Sequence, residues 1–104
     1  DRFRLESTTE SGVGMLNRDR IKDFSANEAD KIDVSLIDAK SATSKNDTFT
    51  WKSTLAFSGA AGELHYFIES ANAIVEGDVN GDKIADFQIE IEGVTNLALT
   101  DIIL

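Results

Sequence analysis

Between Asp78 and Asp86 the chain reads Asp-Val-Asn-Gly-Asp-Lys-Ile-Ala-Asp, with oxygen-bearing side chains at the first, third, fifth and ninth places. Side chains two apart in a tight loop can converge on one point. A hard cation such as calcium takes six to eight oxygens at about 2.3–2.6 Å. Asp78, Asn80, Asp82 and Asp86 are therefore the candidate side-chain ligands, and Ile84 would add its backbone carbonyl. The order is that of the first half of an EF-hand loop, but Ile89 stands where such a loop places its bidentate Glu. Lys83 holds the sixth place, where the backbone turns sharply and Gly is usual. The same residues could instead form a polar hairpin loop whose Asp and Asn bond their own backbone amides. Mutual repulsion of the carboxylates in that second case favours calcium.

Little else in the chain could do chemistry. His65 is the sole His and sits on an alternating segment, which predicts a half-exposed strand residue rather than a base or a ligand. Glu90 and Glu92 share one strand face, as a glycosidase pair could, but a solvated polar face is the expected reading. No Gly-x-Ser-x-Gly elbow and no phosphate-cradling glycine loop is present. With no Cys there is no thiol nucleophile, thiolate zinc site or disulfide. The chain is expected not to be an enzyme in its own right. Phe49, Trp51 and Phe57 are expected in the core rather than on a ligand platform.

Composition narrows the partners. Nineteen acidic residues against ten basic ones give a net charge of -9. That excess repels phosphate backbones and anionic lipid, which argues against nucleic acid and membrane partners, and it favours cations. No apolar run approaches the ~18 residues of a membrane span, and no N-terminal export signal is visible. The chain opens on Asp1 rather than Met, so a piece of a longer polypeptide is expected. With 104 residues, 41% of them hydrophobic, one folded unit with a modest core and marginal stability is expected.

The elements that must carry the aspartate loop are strands. Glu63 to Glu69 alternate, with Leu64, Tyr66 and Ile68 on one face and His65, Phe67 and Glu69 on the other. A tight turn is expected at Ala71-Asn72, after which Ile74 and Val75 continue in the next strand. Beyond the loop, Phe87, Ile89 and Ile91 alternate with Asp86, Gln88, Glu90 and Glu92, which predicts one dry and one wet face. Shorter strands are expected at 1–5, 19–24, 31–34 and around Phe49 and Trp51. A short helix is expected at 36–42, a turn or single helical turn at 25–30, and loops at 6–17 and 41–48. Many short strands with closely spaced turns predict a mostly β fold, an antiparallel β-sandwich.

Several segments, taken in order, resemble the serralysin-type C-terminal domain that follows the calcium β-roll of proteins of the repeats-in-toxin class. They are Asp1-Arg2-Phe3; Asp19 to Phe24 with Asp30 to Ser35 and Ile37-Asp38-Ala39; Phe57 to Leu64 with Tyr66; Gly77 to Asp82 running to Phe87; and Asp101-Ile102-Ile103-Leu104. The resemblance implies that residues 1–24 are the end of the β-roll and a connecting strand, and that 25–104 are the sandwich that caps it, all in one folded unit. It places Asp1, Asp19 and Asp23 near the last roll calcium sites. It implies that Asp101, Ile102, Ile103 and Leu104 are an uncleaved secretion signal read by a type I exporter, so that their removal should block export and leave the domain folded. A secreted, extracellular protein of a Gram-negative bacterium follows, with Ca2+ as cofactor and the exporter and upstream repeats as partners. The parent's activity, metalloprotease or other hydrolase, stays open. The competing expectation is an extracellular calcium-dependent adhesion or carbohydrate-binding module, which needs an exposed aromatic patch beside the loop. Tyr66 and Phe67 are the nearest candidates, with Tyr66 expected inside.

Overall fold

The computed structural model describes residues 2–4, 12, 18–22, 24, 30–40 and 47–104. Among these the strands are β1 (Arg2–Arg4), β2 (Asp19–Ile21), β3 (Lys31–Asp33), β4 (Thr50–Trp51), β5 (Glu63–Glu69), β6 (Asn72–Asp78), β7 (Phe87–Ile91) and β8 (Ile102–Ile103), and a 3-10 turn spans Leu99–Asp101. They form a three-stranded sheet in the order β1-β3-β8 and a five-stranded sheet in the order β2-β7-β6-β5-β4. The fold is mostly β, as its alternating sequence requires.

Strand direction departs from the antiparallel expectation. Among the described residues only β5–β6 and β6–β7 pair antiparallel, through the two hairpins. β1–β3, β3–β8, β2–β7 and β4–β5 are all parallel. The reason is connectivity: β5–β6 is closed by two residues and β6–β7 by the loop 79–86, whereas each parallel pair needs a longer crossover. The chain passes from the first sheet (β1) to the second (β2) and back to the first (β3), where β3 lies parallel to β1.

One contiguous apolar cluster joins the two sheets. Ile32 and Ile102 contribute from the first; Leu64, Tyr66, Val75, Phe87, Ile89 and Ile91 contribute from the second. Phe49 meets Phe87 edge-on at 5.8 Å between ring centroids, and Trp51 stacks on Tyr66 at 5.8 Å, so Phe49 and Trp51 belong to the core region as expected. Tyr66 is buried, and its hydroxyl donates to Asn96 Oδ1 at 3.3 Å.

Two local expectations change. The hairpin turn lies at Ser70-Ala71, one residue earlier than predicted. Both residues have positive φ, 51° and 65°, and Asn72 is already paired with Glu69. That is the dihedral signature of a two-residue type I′ loop, whose twist suits the flanking strands. Residues 36–40 form no helix. Ile37 and Ala39 are buried while Leu36 and Lys40 are exposed, and the segment opens on a turn in which the Ile37 amide donates to the Val34 carbonyl at 3.0 Å. The Asp33 carboxylate accepts from the Ser35 amide and hydroxyl, and that of Asp38 accepts from the Lys40 and Asp47 amides. Such local bonds compete with helix. The expected features at residues 5–11, 13–17, 25–29 and 41–46 lie outside the described residues. Among the described residues no helix is long and apolar enough to cross a membrane.

Candidate functional site

The aspartate loop joins β6 to β7. Asp78 ends β6, and Asp86 stands one residue before Phe87 opens β7. The Asp86 amide donates to the Gly77 carbonyl at 2.7 Å and the Asp86 carboxylate accepts from the Val79 amide at 2.8 Å, closing the base of the loop. Within it the side chains organise the backbone. Asp78 Oδ1 accepts from the amides of Asn80 (3.2 Å) and Gly81 (2.8 Å), and Oδ2 accepts from Lys83 (2.9 Å). Asn80 Oδ1 accepts from Asp82 N at 3.3 Å, and Asp82 Oδ1 from Ile84 N at 2.9 Å.

This ladder brings Asp78, Asp82 and Asp86 together, with one carboxylate oxygen from each lying within 4.8 Å of the others. Asp78 is fully buried, while Asn80, Asp82 and Ile84 are exposed. Asn80 and Ile84 thus belong to the same loop, Asn80 through its side-chain oxygen and Ile84 through its amide. Lys83 has φ of 67°, so the sixth place does turn through the left-handed region, on a residue with a side chain. Gly81 packs so closely on the turn at 59–61 that a Cβ there would stand 2.9 Å from the Gly59 carbonyl oxygen. Among the described ion pairs no Lys or Arg reaches the three carboxylates. The amide bonds are those of the polar-loop alternative, and the three converging carboxylates are also a donor set of the kind a hard cation takes.

The sheet's other polar residues are less exposed than the sequence suggests. β7 is buried on both faces, and Glu90, expected on a solvated face, is only 3% exposed. Its Oε1 accepts from Arg18 Nε at 2.9 Å and Nη2 at 2.6 Å. Its Oε2 accepts from Asn72 Nδ2 at 3.1 Å and pairs with Arg20 at the same distance. Glu92 is exposed, so the two acids do not form a facing pair. Charge on Glu90 is tolerated because two guanidinium groups surround it. Composition could not have revealed this, since Arg18 lies 72 residues away in sequence.

His65 is likewise partnered. Its Nδ1 lies 2.9 Å from the Leu55 carbonyl oxygen, its Nε2 lies 2.7 Å from Glu76 Oε1, and its ring stacks on Phe57 at 4.0 Å. Gln88 Nε2 donates to the second Glu76 oxygen at 2.6 Å. Burial works against charge on His65, but the Glu76 bond and the Leu55 carbonyl outweigh it and raise its pKa. Burial also opposes charge on Glu76, yet His65 and Gln88 hold its pKa below the ordinary value. Glu63 is lowered chiefly by the Ser58 amide, against its burial, and further by the Ser58 hydroxyl and Lys52. The ring nitrogens of His65 thus meet a carbonyl and a carboxylate, with no hydroxyl or thiol to activate.

The terminal residues are built into the fold. β8 pairs with β3, Ile102 opposite Ile32, and the Val34 amide donates to the Ile103 carbonyl at 2.9 Å. Asp101 accepts from the Ala98 amide at 2.9 Å, and Lys31 Nζ donates to the Thr100 carbonyl. Ile102 is buried in the shared cluster, so the end of the chain contributes to the core. Of the residues expected near roll calcium sites, Asp1 and Asp23 lie outside the described residues, and Asp19 contributes its backbone to β2.

Two sheets sharing one core, with a convergent carboxylate loop as the most organised polar feature, define a mostly β domain. The whole chain, residues 1–104, matches the family model described as Peptidase M10 serralysin C terminal, and the protein belongs to that family. The family is the C-terminal part of serralysin-type peptidases, whose catalytic part lies elsewhere. No curated protein matches the chain.

Proposed function

We propose that this domain is the non-catalytic, calcium-linked cap and export module of a larger secreted protein of the repeats-in-toxin class. The observation that carries the reading is the winding of the first three strands. β1 lies in one sheet, β2 in the other, and β3 returns to the first beside β1 and parallel to it. That path is one turn of a two-sheet parallel coil. Among the described residues β1 and β2 are the outer strands of their sheets, edges that strands of preceding repeats would extend. The rest of the chain then closes the coil as a sandwich, with residues 1–24 as the transition.

Calcium supplies the charge that Asp78, Asp82 and Asp86 ask for, with Asn80 and the Ile84 carbonyl completing the shell. At low calcium the net charge of -9 opposes compaction and the chain stays readable by a type I exporter. At millimolar calcium outside the cell, binding to the folded form stabilises it by mass action. Asp101 to Leu104 act as the signal while unfolded, and folding withdraws them into β8. The alternative of a carbohydrate-binding or adhesion module draws no support from its required aromatics. Tyr66 is buried, and Phe67 is half-buried opposite Ile74, away from the loop end of β5, where Glu63 faces Asp78.

Hydrogen exchange tests the cap directly. Amides of Arg2–Arg4 and Asp19–Ile21 should gain protection when the upstream repeats are joined to this chain and filled with calcium. Equal exchange with and without those repeats would overturn the reading.

A further inference from the structure

We propose that His65 is a doubly protonated clasp that fixes the 52–58 segment to the β5–β6 hairpin. A neutral imidazole carries one N–H donor and one acceptor nitrogen. Here both nitrogens face oxygens that only accept: the Leu55 carbonyl at 2.9 Å and the Glu76 carboxylate at 2.7 Å. Neither neutral tautomer makes both bonds. Deprotonation at Nδ1 sets a lone pair against the carbonyl; deprotonation at Nε2 sets one against the carboxylate. The imidazolium alone satisfies both.

The surroundings are arranged for that charge. Phe57 offers a ring face at 4.0 Å, and a cation stacked on an aromatic face is favoured. From β6 the facing group is Glu76, whose other oxygen is held by Gln88 of β7. From β5 itself the nearest charge is Glu63, which is paired with Lys52 at 3.4 Å. Beyond Gln88 lies Arg18, which hydrogen-bonds Gln88 at 3.3 Å and is engaged by Glu90. Glu76 and Glu63 therefore both favour the cation, and the Arg18 guanidinium is held by Glu90.

Two of the three contacts, Leu55 and Phe57, belong to the segment that leads from β4 to β5. Leu55 is itself 65% exposed, so its side chain does little to anchor that segment. The clasp is closed below the histidine midpoint and opens as pH rises through it, when one of the two bonds is lost.

Because His65 is the only histidine, its ring resonances in the whole chain need no assignment. Nitrogen-15 spectra should show both ring nitrogens protonated at pH 6, with a titration midpoint above the ordinary value of about 6.5. The amide resonances of Leu55 and Phe57 should shift with the same midpoint, and Glu76→Gln should lower that midpoint while the hairpin amides keep their dispersion. A neutral ring at pH 6, a midpoint at or below the ordinary value, or Leu55 and Phe57 amides that ignore the titration would overturn the proposal.

Discussion

Gly77 of β6 lies opposite Phe87 of β7, and the phenyl ring fills the space that a side chain at position 77 would need. A Cβ there would stand 2.3 Å from Phe87 Cε1 and 3.2 Å from Phe49 Cε1. Gly77 thus lets two aromatic rings close over the strand that delivers Asp78 to its loop. Overpacking a tight core costs about 1–3 kcal/mol. Gly77→Ala should lower the urea midpoint of unfolding by that order, and an unchanged midpoint would mean that the rings move aside freely.

The β5–β6 turn invites a gain. Ser70 and Ala71 both hold left-handed dihedrals that suit Asn and Gly far better. Replacing the pair by Asn-Gly should stabilise the chain by about 1 kcal/mol or more, read as a higher urea midpoint with an unchanged slope.

Arg18 and Glu90 form a buried pair, with side chains 5% and 4% exposed. Removing Arg18 strips Glu90 Oε1 of its partner and leaves the half-exposed Arg20 as the ion pair of Oε2, so the full cost of breaking a buried pair, about 3–5 kcal/mol, is an upper bound. Arg18→Met should lose stability up to that bound in equilibrium denaturation. The double change Arg18→Met with Glu90→Met should recover a large part of it. A double variant as weak as the single one would place the loss in packing rather than charge.

Four described groups have shifted pKa values; Asp38, held low by the Asp47 and Lys40 amides, acts only as pH falls below its ordinary 3.8, and the other three set the optimum. Glu63 and Glu76 have depressed pKa values, so their contribution is present above the ordinary 4.5 and is lost as pH falls through their folded values. His65 has a raised pKa, so its contribution is present below the ordinary 6.5 and is lost as pH rises through its folded value. The chelator-treated chain should be most stable between about pH 4.5 and 6.5. Denaturant midpoints measured from pH 3 to 9 check this, and a steady rise above pH 7 would contradict it.

Alternation made the second sheet legible. Leu64, Tyr66, Phe87, Ile89 and Ile91 mark core faces in the sequence and occupy them in the fold. The convergence of Asp78, Asp82 and Asp86 was legible because the three stand within nine residues of one another. Strand direction was not, because parallel pairs such as Ile32 with Ile102 join segments 70 residues apart, with no local turn to signal them. The wet face assigned to β7 failed for a related reason. Glu90 looks like a surface acid until Arg18 and Arg20 are brought to it. His65 looked solitary because Leu55 and Glu76, its partners, stand ten and eleven residues away on either side.

The most direct measurement is a calorimetric scan of this chain joined to the upstream repeats proposed for it, run in calcium and in chelator. A calcium concentration a hundredfold above Kd contributes about 2.7 kcal/mol per site to the folded form. The expected result is one cooperative transition that moves upward with calcium, and by less when Asp78→Asn weakens the loop. Two separate transitions, with that of this domain indifferent to calcium, would contradict both the capping and the metal link.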